Sequence, residues 1–132
     1  MNLEAHNIEA LARQLAQDLE PAIQAGAMGI GAALQDVIAP YPPPPATSVY
    51  RRTGQDQQGW RIRQVPMGAV LENRVAHSIY LHGSLRERPG QTRVHERAGW
   101  TNEDTAIKRV VEGGQANDIM ERALAERLEI MG

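Results

Sequence analysis

Four consecutive prolines, Pro42, Pro43, Pro44 and Pro45, constrain this chain more than any other feature. They stand in the segment YPPPPATSVYRRTGQDQQGW, Tyr41–Trp60. Each proline ring locks φ and removes a backbone donor, so the run favours an extended polyproline II rod without internal hydrogen bonds. Such a rod does not pack as a core element. It serves as a stiff spacer or as a strap laid across a neighbouring surface. Arg51 and Arg52 follow it with positive charge, Thr53-Gly54 permits a turn, and Tyr50 and Trp60 offer aromatic anchors. A strap, a charged elbow and an anchor suit assembly better than catalysis.

The chain has 132 residues and reads as a single domain, with a strap over 40–54 and an Arg-rich loop over 82–99. Aromatic residues are scarce (two Trp, three Tyr, no Phe), so Leu, Ile, Val, Met and many Ala must build the interior. A core of that kind is thin, and neighbouring subunits are expected to complete it. With no cysteine, disulfides and thiolate zinc sites are excluded. No apolar run approaches the roughly 20 residues that span a bilayer. The first residues lack the basic and apolar regions of a secretory signal, so a cytoplasm-like compartment is expected.

Net charge is −2, but its distribution is uneven. Residues 1–49 hold one Arg against five acids, residues 50–97 hold nine Arg against four, and residues 98–132 hold four basic residues against seven acidic ones. The three segments therefore carry −4, +5 and −3. Such a chain can pair with copies of itself head to tail, or turn its basic segment toward nucleic acid. Thirteen of the fourteen basic residues are Arg, the residue suited to bidentate contacts with carboxylate or phosphate.

Leu3, Ile8, Leu11, Leu15 and Leu19 recur at helical spacing. Pro21 either opens a second helix or kinks the first. Ile23, Ala27, Ile30, Leu34 and Val37 continue the spacing to Ala39, and Pro40 stops it. Gly26, Gly29 and Gly31 lower helix propensity within this stretch but let another backbone come close. After the strap, Trp60–Val65 alternates like a strand, Pro66-Met67-Gly68 reads as a turn, and Ala69–Val75 reads as the second strand of a hairpin. Ile79-Tyr80-Leu81 reads as a third strand or a helical turn. Residues 82–99 read as a long projecting loop, with Thr92–Glu96 as a further strand candidate. Thr101 with Asp104 resembles a capping box, and Ile107, Val110 and Val111 are expected to face inward. Gly113-Gly114 breaks the helix. From Gln115, Ile119, Met120, Ala123, Leu124, Leu128 and Met131 form an amphipathic stripe. The expected layout is α+β: an N-terminal helix, a small antiparallel meander with a long loop, and a C-terminal helix on one sheet face.

No constellation of catalytic or metal-binding residues stands out, and no cofactor is implied. The histidines His6, His77, His82 and His95 lack the spacing of a helical metal site. Gly26, Gly29 and Gly31 lack the Gly-Lys-Ser/Thr ending of a phosphate loop. Ser48, Ser78 and Ser84 lack a nucleophile-elbow context. The arginine cluster carries the plausible function. Arg86, Arg88, Arg93 and Arg97 in the loop read as a solvated surface, as an interface with an acidic neighbour, or as contacts to phosphate. Trp60 and Trp100 each follow a glycine and read as anchors. Two rivals remain in view: a nucleic-acid-binding module using Arg51, Arg52, Arg61, Arg63 and the loop arginines, and a small hydrolase using His82, His95 and Glu96.

A helix, then YPPPPATSVYRRTG and a following GW, then Val70–Val75, Ser78–Gly83 and His95–Trp100 appear in this order over about residues 40–105. The combination resembles the small tail-completion and neck (head-to-tail connector) proteins of long-tailed bacteriophages. The resemblance implies a structural virion protein without catalytic activity. It implies a ring, commonly six-fold, around a channel through which DNA passes without sequence-specific binding. Its neighbours would be other neck and tail proteins, and no membrane is involved. Pro42–Pro45, Arg51–Gly54, Trp60 and His95–Trp100 would be assembly elements. The chain departs from the family pattern at Gln55-Asp56-Gln57-Gln58, where an apolar residue is common, and at Gly113-Gly114.

Overall fold

The computed structural model describes residues 5–42, 54–75, 78–83, 91 and 93–131. The N-terminal periodicity forms one helix, α1 (Ala5–Ile38), of 34 residues with Pro21 inside it. The helix thus runs through the proline instead of restarting there. An interior proline loosens the carbonyls of the turn before it. Arg127, on the C-terminal helix, donates from Nε to the Asp18 carbonyl in that turn at 2.8 Å. The helix closes with Ala39 N–H donating to the Gln35 carbonyl at 2.9 Å, and Pro40 prevents continuation.

Trp60–Val65 (β1) and Gly68–Asn73 (β2) make an antiparallel hairpin, with Trp60 opposite Asn73 and Val65 opposite Gly68. Helix α2 (Gln55–Gln58) lies just before β1, and the turn at Pro66-Met67, where Met67 adopts φ 58°, joins the two strands. The second strand begins one residue earlier and ends two earlier than its periodicity suggests. Ser78–His82 (α3) takes the helical of its two readings, so among the described residues the sheet has two strands and no meander. Arg93–Arg97 (α4) is also helical, replacing the expected strand at Thr92–Glu96.

Glu103–Glu112 (α5) is capped by Asn102, whose side chain accepts from Thr105 N–H at 2.7 Å; the cap lies one residue beyond the expected Thr101. Glu103 and Asp104 sit in the first turn, where carboxylates favour the helix dipole. Asp104 also hydrogen-bonds Lys108 at 3.0 Å and holds its ammonium above its ordinary pKa. Val110 and Ala106 are buried, Ile107 is half-buried, and Val111 faces solvent instead of the interior. Gly114, at φ 83°, separates α5 from α6 (Gln115–Met131), the expected break.

Helix α1 is the common support. One side carries α6, which runs antiparallel to it, since Gly26 meets Met120 while Asp18 meets Arg127. A Cβ at Gly26 would come 2.6 Å from Met120 Sδ, and one at Gly29 would come 2.8 Å from Ile119 Cγ2. Gly31 turns to the sheet, where a Cβ would lie 3.2 Å from Ile62 Cγ2. The glycines that weaken the helix locally therefore admit α6 and the hairpin on its surface. The α+β class holds, with the C-terminal helices and the hairpin gathered on α1.

The buried hydrophobic residues among those described are Ala22, Ala33, Ile38, Ala39, Leu81, Ala106 and Val110. Four are alanines, so the interior is thin and the seam between α1 and α6 has little slack. Replacing Gly29 with Leu overpacks that seam and is expected to cost about 1–3 kcal/mol in urea unfolding. Adding Ile119→Ala should recover part of the loss; no loss for the single variant would show that α6 does not lie on Gly29.

Candidate functional site

The root of the proline strap is held by aromatic packing. Tyr41 lies with its ring centroid 4.8 Å from that of Trp100 and tilted by 60°. Its hydroxyl accepts from the Gln57 backbone N–H at 3.3 Å. Pro42 rests over Gly99, where an added Cβ would lie 3.5 Å from the proline Cβ. Trp100 then meets His82 edge-on at 5.8 Å and His95 at 6.2 Å, and Trp60 meets His82 from its own side at 5.3 Å. Four residues assigned to assembly from the sequence, Pro42, Trp60, His95 and Trp100, thus converge.

Their centre is a residue pair that sequence reasoning did not join. Asp56 and His82 are both buried, and His82 Nε2 lies 2.7 Å from Asp56 Oδ2. The other ring nitrogen, Nδ1, lies 2.6 Å from the Thr101 carbonyl oxygen. A carbonyl can only accept, so Nδ1 carries hydrogen. Nε2 then faces a carboxyl oxygen, and the contact needs one more proton than neutral imidazole with carboxylate supplies. The arrangement is an imidazolium–carboxylate pair or its neutral equivalent with the proton on Asp56. Asn73 Nδ2 donates to the Asp56 backbone carbonyl at 2.8 Å and lies 3.3 Å from Oδ1. Asn73 Oδ1 in turn accepts from Val75 N–H at 3.0 Å.

This geometry is structural chemistry. A histidine that activates a nucleophile holds one nitrogen toward it and the other toward an orienting group. Both His82 nitrogens are occupied by groups that hold it in place. His95 packs on Trp100, and Glu96 is exposed. Among the described residues no group of three His, Cys, Asp or Glu could hold a metal ion.

Beside the pair lies a cavity of about 560 Å³, lined chiefly by Leu34 and Ile38 of α1, Trp60 and Leu71 of the hairpin, and Ala106 and Ile107 of α5. That volume is in the range of pockets that bury a ligand or side chains of a partner. Trp60 Nε1 is buried without a hydrogen-bond partner in the structure. An unmet donor costs about 1–3 kcal/mol, and here it belongs to a ring that walls the cavity.

Gly54 takes the left-handed conformation at φ 77°, directly before α2, in keeping with its assigned turn. Arg93 and Arg97 are exposed on α4. Pro43, Pro44, Pro45, Tyr50, Arg51, Arg52, Thr53, Arg86 and Arg88 lie outside the described residues. The sequence reading missed Asp56 as a buried acid and Gln91 as a clasp. Gln91 Nε2 lies 2.7 Å from both the Leu81 and the Trp100 carbonyl oxygens.

Comparison with family models, with curated proteins and with solved structures finds no match.

The pair can be tested by changing its charge without its shape. Asp56→Asn offers its amide N–H to His82 Nε2 and its oxygen to Asn73, satisfying a neutral histidine. It is expected to lose no more than about 1.5 kcal/mol in chemical denaturation. Asp56→Ala strands the histidine and should lose about 3–5 kcal/mol. Equal losses for the two would rule out the hydrogen-bonded pair.

Proposed function

We propose that this chain is a structural subunit of a bacteriophage virion, a tail-completion or head–tail connector protein that assembles into a ring around the DNA channel. The observation that carries the reading is the inversion of its side-chain sizes. Alanines dominate the buried positions, while Ile8, Leu11, Leu15, Leu128 and Ile130 are exposed on the two long helices. A subunit of this kind leaves burial to be completed by neighbours, as in an obligate assembly. Tyr41 and Pro42, at the root of the proline run, pack on Trp100 and Gly99, so the base of the expected strap is tied into the centre of the fold. The opposite charges of the middle and outer segments suit head-to-tail contacts, which close into a ring when the rotation per subunit allows. The order of strap, Arg-Arg-Thr-Gly elbow, hairpin and His95–Trp100 step, which resembles the phage neck proteins, supports the same role.

Nucleic-acid binding by the arginines is the rival. On the hairpin, Arg63 and Arg74 each reach Glu72 at 3.5 Å, so part of that charge is spent within the chain. A wall that lets DNA slide should not capture phosphates, since each neutralised phosphate adds salt-dependent affinity.

The double substitution Arg51→Glu with Arg52→Glu should leave the subunit folded by circular dichroism and prevent head–tail joining, seen by electron microscopy as separate heads and tails. Intact, infectious mutant particles would remove the elbow from the interface. Titration of the isolated protein with duplex DNA at 50 and 200 mM salt should show no micromolar binding. Tight binding that collapses between the two would favour the rival.

A further inference from the structure

The cavity of about 560 Å³ between the C-terminal half of α1, the hairpin and α5 has a definite chemical character. Its walls are apolar side chains such as Leu34, Ile38, Leu71 and Ile107, the Trp60 ring adds an aromatic surface, and the carboxylates of Glu72 and Glu103 supply negative charge. No lysine or arginine is among its lining residues, and the His82 ring is committed to Asp56 and to the Thr101 carbonyl. Glu72 lies 3.5 Å from both Arg63 and Arg74, whose side chains are 54% and 81% exposed, so these are surface pairs of little strength. Trp60 also contributes a buried indole N–H that lacks an acceptor. The matching occupant is an extended segment with apolar rings, carbonyls not spent on internal hydrogen bonds, and positive charge.

We infer that the segment Pro43–Arg52 of one copy docks in this cavity of the next copy. The segment answers each feature of the site. Its prolines favour an extended backbone whose carbonyls have no internal partner, and proline rings dock on aromatic-lined grooves. One such carbonyl is the acceptor that Trp60 Nε1 lacks. Arg51 and Arg52 bring two guanidinium groups toward Glu72 and Glu103, and residues 37–55 hold no acid to oppose them. The connection passes between copies because of where the prolines begin. Ile38 lines the cavity, but by Pro42 the chain has reached Gly99, which does not line it. Three further prolines with locked φ do not double back from that point. Each subunit offers one arm and one cavity, so the contact is heterologous and propagates around a ring. The inference rests on the ring reading and names the contact that would build it.

The chain has no cysteine, so a cross-link can be placed without background. Ile107 stands one turn after Glu103 on the cavity wall, and Val49 stands two residues before Arg51. Val49→Cys protein is mixed with tagged Ile107→Cys protein and mildly oxidised, a bond that forms only where the Cα atoms come within about 7 Å. A disulfide heterodimer should dominate on non-reducing gels, while each single variant alone gives none. The heterodimer should be lost when the Val49→Cys copy also carries Arg51→Glu with Arg52→Glu, or Pro43→Gly with Pro44→Gly and Pro45→Gly. The double variant Val49→Cys, Ile107→Cys should give a ladder of covalent dimers, trimers and higher species. A bond closed only within each chain would show the cavity taken by its own strap and overturn the inference. A link that survives both sets of strap changes would mark random collision and overturn it as well. An oligomer by native mass spectrometry without the 49–107 link would overturn the contact while leaving the ring reading standing. A wild-type monomer at every concentration would overturn both.

Discussion

The buried contact between Asp56 and His82 is the point on which the rest of the described fold depends. It joins residues 26 apart in sequence, and its extension to the Thr101 carbonyl spans another 19. Those bonds tie the helix after the strap, the helix after the hairpin and the entry to α5 into one unit. A charged or proton-sharing pair in an apolar setting is costly to bury, and here every polar atom of the pair is directed at a partner. Such a pair specifies one arrangement, because any shift strands a charge. Trp60 and Trp100 close over its two sides, so the two tryptophans take their positions from the histidine between them.

The second constraint is the length of α1. A single helix carries α6 on its middle, the hairpin on another side and nothing of the described chain over its first turns. Glycine makes this possible at a local loss of about 1 kcal/mol per residue in helix propensity. The loss is offset by close approach of Met120, Ile119 and Ile62, which larger residues would hold away. Pro21 is tolerated in the same way, since the neighbouring helix supplies Arg127 to the loosened turn. Helix and partner thus compensate each other's defects.

Much of this was legible in the sequence. The two long periodic segments, the stop at Pro40, the hairpin around Pro66-Met67 and the break at Gly113-Gly114 follow from local rules that tertiary contacts did not override. What local rules could not decide was settled by distant partners. Pro21 looked like a boundary because Arg127 is 106 positions further on in the numbering. Ser78–His82 looked as much strand as helix, because what selects the turn is His82 meeting Asp56. The Gln-Asp-Gln-Gln stretch looked like a polar loop, because nothing in its own neighbourhood announces that its aspartate is buried. Trp60 and Trp100 were singled out as anchors by residue type alone, and the structure places both rings against the same histidine, while Pro42, read as part of the strap, packs over Gly99. The arginines were the weaker part of the reading, since charge on a surface does not say which neighbour it meets.

The two constraints act on different scales. The Asp56–His82 pair fixes the base of the strap and the wall of the cavity in one arrangement, since moving either residue strands a buried polar group. The length of α1 then sets the exposed Leu11 about 35 Å along the helix from Leu34 in the cavity wall. The thin alanine core fits that division: close approach along α1 and the buried polar pair, more than large apolar side chains, fix the shape of the described fold.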